Sequence, residues 1–153
     1  MDSMFTSRRG GYVFLSWFGV FLWMSLIFYM SSRPGDESAD MSFNLLVVFE
    51  VFFPFVEEEL LHLLIRKLAH VTVYMVLFLL LANALKQHIS ERTYMYTYAV
   101  LIGFLYAVTD EVHQVFVPGR SGNVFDVLID TLGLGIGLLL FEFFVQVFRP
   151  QSA

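Results

Sequence analysis

The chain has 153 residues, of which 58% are hydrophobic, and its mean hydropathy is +0.70. Soluble domains are nearer half apolar and interrupt their apolar runs with charge, so this composition predicts an integral membrane protein. The absence of cysteine excludes disulfides and thiolate metal sites. The net charge is −5 and the nine basic residues are scattered, so we expect no nucleic-acid binding.

Four apolar segments are predicted to be transmembrane helices, because a helix needs about 20 residues to cross the hydrocarbon core. The first follows Arg8 and Arg9 and could be mistaken for a signal sequence, but it is long and no small-residue cleavage site follows it. No repeat or linker divides the chain, which predicts one all-α domain over residues 1–153. The four predicted spans are residues 12–30, 66–85, 94–114 and 124–148.

The segment from Met41 to Leu64 is apolar but interrupted. Glu50, Pro54 and the acidic run 57–59 would all be costly inside a membrane-spanning helix. We therefore expect an interfacial helix between spans one and two, with its apolar face among the lipid headgroups, rather than a fifth span.

Basic residues in short loops predict the orientation in the membrane. The loops expected to be cytoplasmic carry Arg8, Arg9, Lys86, Arg92 and Arg149. This places both termini inside and the loop over residues 110–123 at the outer face. Three further basic residues lie on the predicted outer side and reduce the difference in basic residues between the two sides: Arg33, Arg66 and Lys67.

Polar residues concentrate at the predicted outer ends of the last three spans. Ionisable groups at membrane depth are costly and usually carry function. Residues three or four apart share a helix face, so these polar side chains form one stripe on each helix. Glycines four apart would let the helices approach closely, and we expect the three stripes to meet in one pocket. The stripes are Arg66, His70 and Tyr74; Asp110, His113 and Gln114; and Asp126, Asp130, Gly133 and Gly137.

The loop between spans three and four has its own signals. Pro118-Gly119 predicts a turn, and Ser121-Gly122-Asn123 offers an N-cap, with Asn123 favoured because it places Asp126 in the first helical turn. The free N–H groups of this helix start, together with Arg120, could hold a phosphate.

These residues, in this order, resemble the VanZ-like family. The matching motifs are Arg66-Lys67-x-x-His70-x-x-x-Tyr74, Thr109-Asp110-Glu111-x-His113-Gln114-x-Phe116-Val117-Pro118-Gly119-Arg120 and Asp126-Val127-x-x-Asp130-Thr131-x-Gly133. The resemblance covers about Tyr12 to Leu140. It implies a multi-pass protein of the bacterial cell membrane, linked to resistance against teicoplanin-type glycopeptides. Many relatives carry asparagine where this chain has Asp130.

The resemblance and the stripes together suggest roles for the polar residues. Glu111 or Asp110 would be a general base and His113 or His70 a proton shuttle. The candidate catalytic residues are Glu111, Asp110, His113, His70, Asp126 and Asp130. The candidate substrate-binding residues are Arg66, Lys67, Tyr74, Gln114, Arg120 and Ser121.

The expected partner, besides the lipid bilayer, is an amphiphilic envelope component: a phospholipid, a polyprenyl-linked precursor or a lipoglycopeptide tail. Two histidines and four carboxylates could also hold a divalent cation, although no H-E-x-x-H spacing is present. No other cofactor is expected.

Other interpretations stay open. The chain could be a non-catalytic shield that limits antibiotic docking, or, as a weaker alternative, an ion or proton pathway. Structural roles compete as well: Arg66 and Lys67 could extend to the headgroups, and His70 and Tyr74 could join helices by hydrogen bonds.

Overall fold

The computed structural model describes residues 2–34 and 49–148, and the regular structure in these ranges is helical, as predicted. Residues 49–52 are helical and precede a turn. The long helices are α1 (Asp2–Ser31), α2 (Glu58–Leu85), α3 (Arg92–Gln114) and α4 (Val124–Val147).

Three of the described helices are long and apolar enough to cross a membrane: Gly10–Ser31, Glu58–Leu85 and Val124–Val147. The chain is therefore a multi-pass membrane protein. The third predicted span, residues 94–114, corresponds to α3, which is not among these candidates. Tyrosines and threonines fill its first two turns and polar side chains its last, which lowers its mean hydropathy. A four-span arrangement stays a prediction.

Helix α2 begins earlier than the sequence indicated. It starts at Glu58, eight residues before the predicted start of the second span, and Glu58 and Glu59 lie in its first turn. Acidic residues there are favoured by the helix dipole, so they begin the helix instead of interrupting it. The predicted interfacial segment runs from Met41 to Leu64; its first part, residues 41–48, lies outside the described residues, and residues 49–52 form a short helical stretch. Its last part, residues 58–64, belongs to α2.

The helices alternate in direction, so that α1 and α3 run one way and α2 and α4 the other. Ser31, at the end of α1, contacts Asp110 near the end of α3, with 2.7 Å between Oγ and Oδ2. At the opposite end Arg92 begins α3 and lies beside Glu142 of α4, with 3.2 Å between Nη1 and Oε1. Short connections make α2 and α3, and α3 and α4, antiparallel neighbours. Four helix ends therefore meet at one end of the bundle, here called the polar end.

Glycines bring α4 against α2. A Cβ placed on Gly133 would collide with the carbonyl oxygen of Val71, and one on Gly137 would lie 2.7 Å from that of Met75. Real Cβ atoms essentially never come closer than 3.0 Å, so the two helix backbones approach as only glycine allows. The predicted role of the G-x-x-x-G pair is confirmed. This contact sets the rotation of α4 and turns Asp126 and Asp130 toward α2.

Helix α1 is attached to this core by polar contacts within an apolar interface. The indole Nε1 of Trp23 donates to the Val73 carbonyl of α2 at 2.9 Å, and the Tyr106 hydroxyl of α3 donates to the Met24 carbonyl. Its outward side chains, such as Phe14 and Phe21, are exposed. Exposed aromatics suit a surface covered by lipid.

Candidate functional site

The polar end of the bundle contains a group of buried polar side chains drawn from three helices. A buried polar group is costly unless it is hydrogen-bonded, so each one needs its partners identified. The group is Ser31, Asp110, Glu111, Gln114, Asp126 and Asp130. With the adjoining side chains of Lys67, His70, Tyr74 and Arg120 it is called the polar site below.

Gln114 connects the acidic end of α3 to the loop that follows. Its Nε2 donates to Asp110 Oδ2 at 3.2 Å and to Glu111 Oε1 at 3.3 Å. Its Oε1 accepts from Arg120 Nη1 at 3.1 Å. Ser31 Oγ donates to the same Asp110 oxygen at 2.7 Å. One amide thus holds two carboxylates and a guanidinium in fixed relative positions.

The loop that precedes α4 closes onto Glu111. The backbone N–H of Asn123 donates to Glu111 Oε2 at 2.8 Å, while its side chain accepts from Phe125 N at 3.0 Å and caps α4, as predicted. A Cβ on Gly122 would lie 2.6 Å from the Glu111 carbonyl oxygen, so this approach requires glycine. Gly119, with φ of 73°, makes the predicted turn. The loop therefore orients the Glu111 carboxylate.

Two carboxylates of α4 pair with bases of α2. Asp126 forms an ion pair with Lys67, and Arg66 Nη2 lies 3.7 Å from its other oxygen. One turn deeper, His70 Nδ1 lies 2.9 Å from Asp130 Oδ1. Lys67 and His70 are partly buried, whereas the Arg66 side chain is 51% exposed. The first of these pairs neutralises charge, and the second fixes the orientation of an imidazole.

Three buried oxygens at this end have no hydrogen-bond partner among the described residues: Tyr74 Oη, Asp110 Oδ1 and Asp130 Oδ2. Tyr74 is 1% exposed and packs against α4, where a Cβ on Gly133 would lie 3.1 Å from the Tyr74 Cβ. Tyr74 was predicted to share a helix face with His70, and this face is the one turned toward α4. The polar site therefore has unused hydrogen-bonding capacity in its interior.

His70, Glu111 and Asp130 come together from three helices. One possible ligand atom from each lies within 4.8 Å of the others. Two of the three side chains are buried and the histidine is partly buried. An imidazole beside two carboxylates can transfer protons or bind a cation.

Some predicted residues lie at the edge of the site. The His113 ring packs against the Phe28 ring with 4.4 Å between centroids and a 30° tilt, and its Nε2 lies 3.1 Å from Ser32 Oγ, so it faces α1. Ser121 is exposed in the loop. Ser31, by contrast, is buried in the site although its sequence indicated only the end of a helix; its small hydroxyl before a charged loop was the available signal.

The sequence comparison agrees with the motifs. The VanZ/LLP1 family model matches residues 16–145, which include every residue of the polar site. The chain belongs to the VanZ/LLP1 family. The resemblance stated from the sequence motifs is thereby confirmed. Searches of curated proteins and of solved structures returned no match.

Proposed function

We propose that this VanZ/LLP1 protein binds the anionic headgroup of an amphiphilic cell-envelope component in its polar site and acts on it by proton transfer. The observation that carries the proposal is the grouping of His70, Glu111 and Asp130, within 4.8 Å of one another, close to basic side chains. A phospholipid, a polyprenyl-linked precursor and a lipoglycopeptide tail all fit this description.

Basic side chains at the site favour an anion. Arg66 and Arg120 are close enough for their charges to repel, and burial together with Arg66 lowers the pKa of the Arg120 guanidinium. Arginine stays protonated in proteins, so both remain cations. An anion between them would relieve the repulsion, and two guanidinium groups match the geometry of a phosphate.

Apolar side chains around the same end favour an amphiphile over a soluble anion. Phe116, just after α3, and Val124 and Phe125, at the start of α4, are all largely exposed. Phe55, before α2, is 98% exposed. A headgroup could occupy the polar site while its acyl or prenyl chain lies along these residues.

The interior of the site supplies acid–base groups. Asp130 holds one ring nitrogen of His70, which orients the imidazole and leaves the other nitrogen to accept or donate a proton. Glu111 is held by a backbone N–H and an amide, so its carboxylate has a fixed direction. Pre-orientation of this kind lowers the cost of reaching a transition state. Of the histidines considered, His70 is favoured over His113.

The second candidate is a non-catalytic shield that limits the docking of an antibiotic. The Gln114 network favours it, because Asp110 and Glu111 already accept hydrogen bonds and could serve to hold the bundle together. An ion pathway is disfavoured, since Leu77, Phe78 and Leu81 are fully buried beyond the polar site and close the interior.

We further propose that the polar site faces outward and that both termini are cytoplasmic. Lys86 and Arg92 lie at the opposite end of the bundle, where the positive-inside rule favours them. An outward site could protect against teicoplanin, whose lipid tail places it at the membrane surface.

The test is antibiotic susceptibility in a sensitive Gram-positive host that expresses wild type, Glu111→Gln or Glu142→Gln at matched membrane abundance. Glu142→Gln is the control, because this carboxylate lies beside Arg92 at the other end. We expect wild type and Glu142→Gln to protect against teicoplanin but not vancomycin, and Glu111→Gln to lose protection.

The other outcomes separate the alternatives. Equal protection by Glu111→Gln and wild type would reject proton transfer through Glu111 and favour the shield. No protection by wild type would reject the resistance role, and lipid analysis of the envelope would then identify the component that changes.

A further inference from the structure

We propose that His70, Glu111 and Asp130 form a binding site for one divalent cation of intermediate hardness, Zn²⁺ or Mn²⁺. The three side chains come from α2, α3 and α4, and their candidate ligand atoms lie within 4.8 Å of one another. Residues that are distant in sequence converge here because the glycine contact holds α4 against α2 and the Asn123 N–H orients Glu111. The ligands are thus positioned by the fold.

The unpaired oxygens are an independent observation that points to a ligand. Asp130 contacts His70 through Oδ1, and its Oδ2 has no partner among the described residues although the residue is 0% exposed. The Tyr74 hydroxyl, equally buried, also has none among the described residues. A cation would engage the free carboxylate oxygen, and the hydroxyl could bind a water on that cation.

The charges support the same conclusion. Asp126 is neutralised by Lys67 and Arg66, but the partner of Asp130 is a histidine, which carries charge only when protonated. Buried charges persist when they are paired or bind a metal. A divalent cation would neutralise Glu111 and Asp130 together while His70 serves as a neutral ligand.

The donor atoms select the class of cation. Mg²⁺ and Ca²⁺ prefer sites made of oxygen, whereas imidazole suits the first-row transition metals and zinc. The chain has no cysteine to bind a softer ion through sulfur. One nitrogen and two carboxylates make three protein ligands, the number that leaves a coordination position open for water or substrate at a catalytic zinc.

This inference rests on the proposed function in one respect: the cation would lie beneath the bound headgroup and polarise its phosphate. His70, Glu111 and Asp130 would then act as ligands of the cation, in place of the proton-transfer roles proposed for them above. Cation binding can nevertheless be measured with no substrate present.

The test uses the full chain, purified in detergent with an affinity tag that contains no histidine. After treatment with a chelator, it is titrated with Zn²⁺ or Mn²⁺ in competition with a fluorescent indicator, and the bound metal is counted by mass spectrometry. We expect one cation per chain, and affinity at least about tenfold lower in Glu111→Gln, Asp130→Asn and His70→Asn.

Matched controls are His88→Asn and Glu142→Gln, which change the same residue types at the opposite end and should bind as wild type does. Circular dichroism confirms that each variant is folded. No saturable binding by wild type, or equal losses in the control variants, would overturn the proposed site.

The Arg120→Gln variant separates this inference from the proposed function, since it should keep the cation yet lose teicoplanin protection. If protection depends on Glu111 while no metal binds, the cation site is rejected and the proposed function stands. If the cation binds but no variant of the site alters protection, the site is supported and the proposed function fails.

Discussion

Replacing Gly133 with alanine should force α4 away from α2 and disturb the polar site. The new Cβ would collide with the carbonyl oxygen of Val71 and lie 3.1 Å from the Tyr74 Cβ. Both obstacles are backbone or close to it, so no side-chain rotation can relieve the contact. The helices must separate by several tenths of an ångström, and Asp130, one turn before Gly133, must move with them.

The expected change in the free energy of unfolding is the sum of two opposing terms. Overpacking a tight interface costs about 1–3 kcal/mol. Alanine is favoured over glycine inside a helix by about 0.5–1 kcal/mol. Gly135→Ala on the same helix is the matched control, because its Cβ would meet no atom of the described residues within 4 Å and only the second term applies. The difference between the two variants therefore isolates the packing term.

The assay is unfolding in mixed micelles by a titration with sodium dodecyl sulfate, followed by far-ultraviolet circular dichroism. We expect Gly133→Ala to be less stable than Gly135→Ala by about 1–3 kcal/mol, the whole of the overpacking term. It should also protect less well against teicoplanin, because His70 and Asp130 lose their 2.9 Å contact. Equal stability of the two variants would refute the close approach of α4 to α2.

Three further predictions concern the loop and the network. Gln114→Leu should destabilise the protein by about 1–3 kcal/mol, because buried Asp110 and Glu111 oxygens lose a donor; unchanged unfolding would show that the network carries little energy. Arg120→Lys should weaken binding of radiolabelled anionic phospholipid severalfold, since lysine cannot bind phosphate through two nitrogens, and affinity equal to wild type would contradict the anion site. Gly122→Ala should raise the protease sensitivity of the loop before α4, because its Cβ would lie 2.6 Å from a carbonyl oxygen; an unaltered cleavage rate would show that the loop adapts.

The sequence alone determined the features that depend on local pattern. Of the four spans that apolar runs predicted, three correspond to the described helices that can span a membrane, and the positions of Asn123 and Gly119 predicted the cap and the turn before α4. Helical periodicity placed His70 with Tyr74 and Asp126 with Asp130. These pairings follow from the period of 3.6 residues per turn, which is the same in every α-helix.

The tertiary structure decided which of these faces meet. Periodicity cannot choose the rotation of one helix against another, and here the fit of Gly133 against Val71 sets it. That fit pairs His70 with Asp130. Packing of α1 brings Ser31 into the site and turns His113 toward Phe28. Contacts between helices depend on the shapes of two surfaces together, and neither helix encodes them by itself.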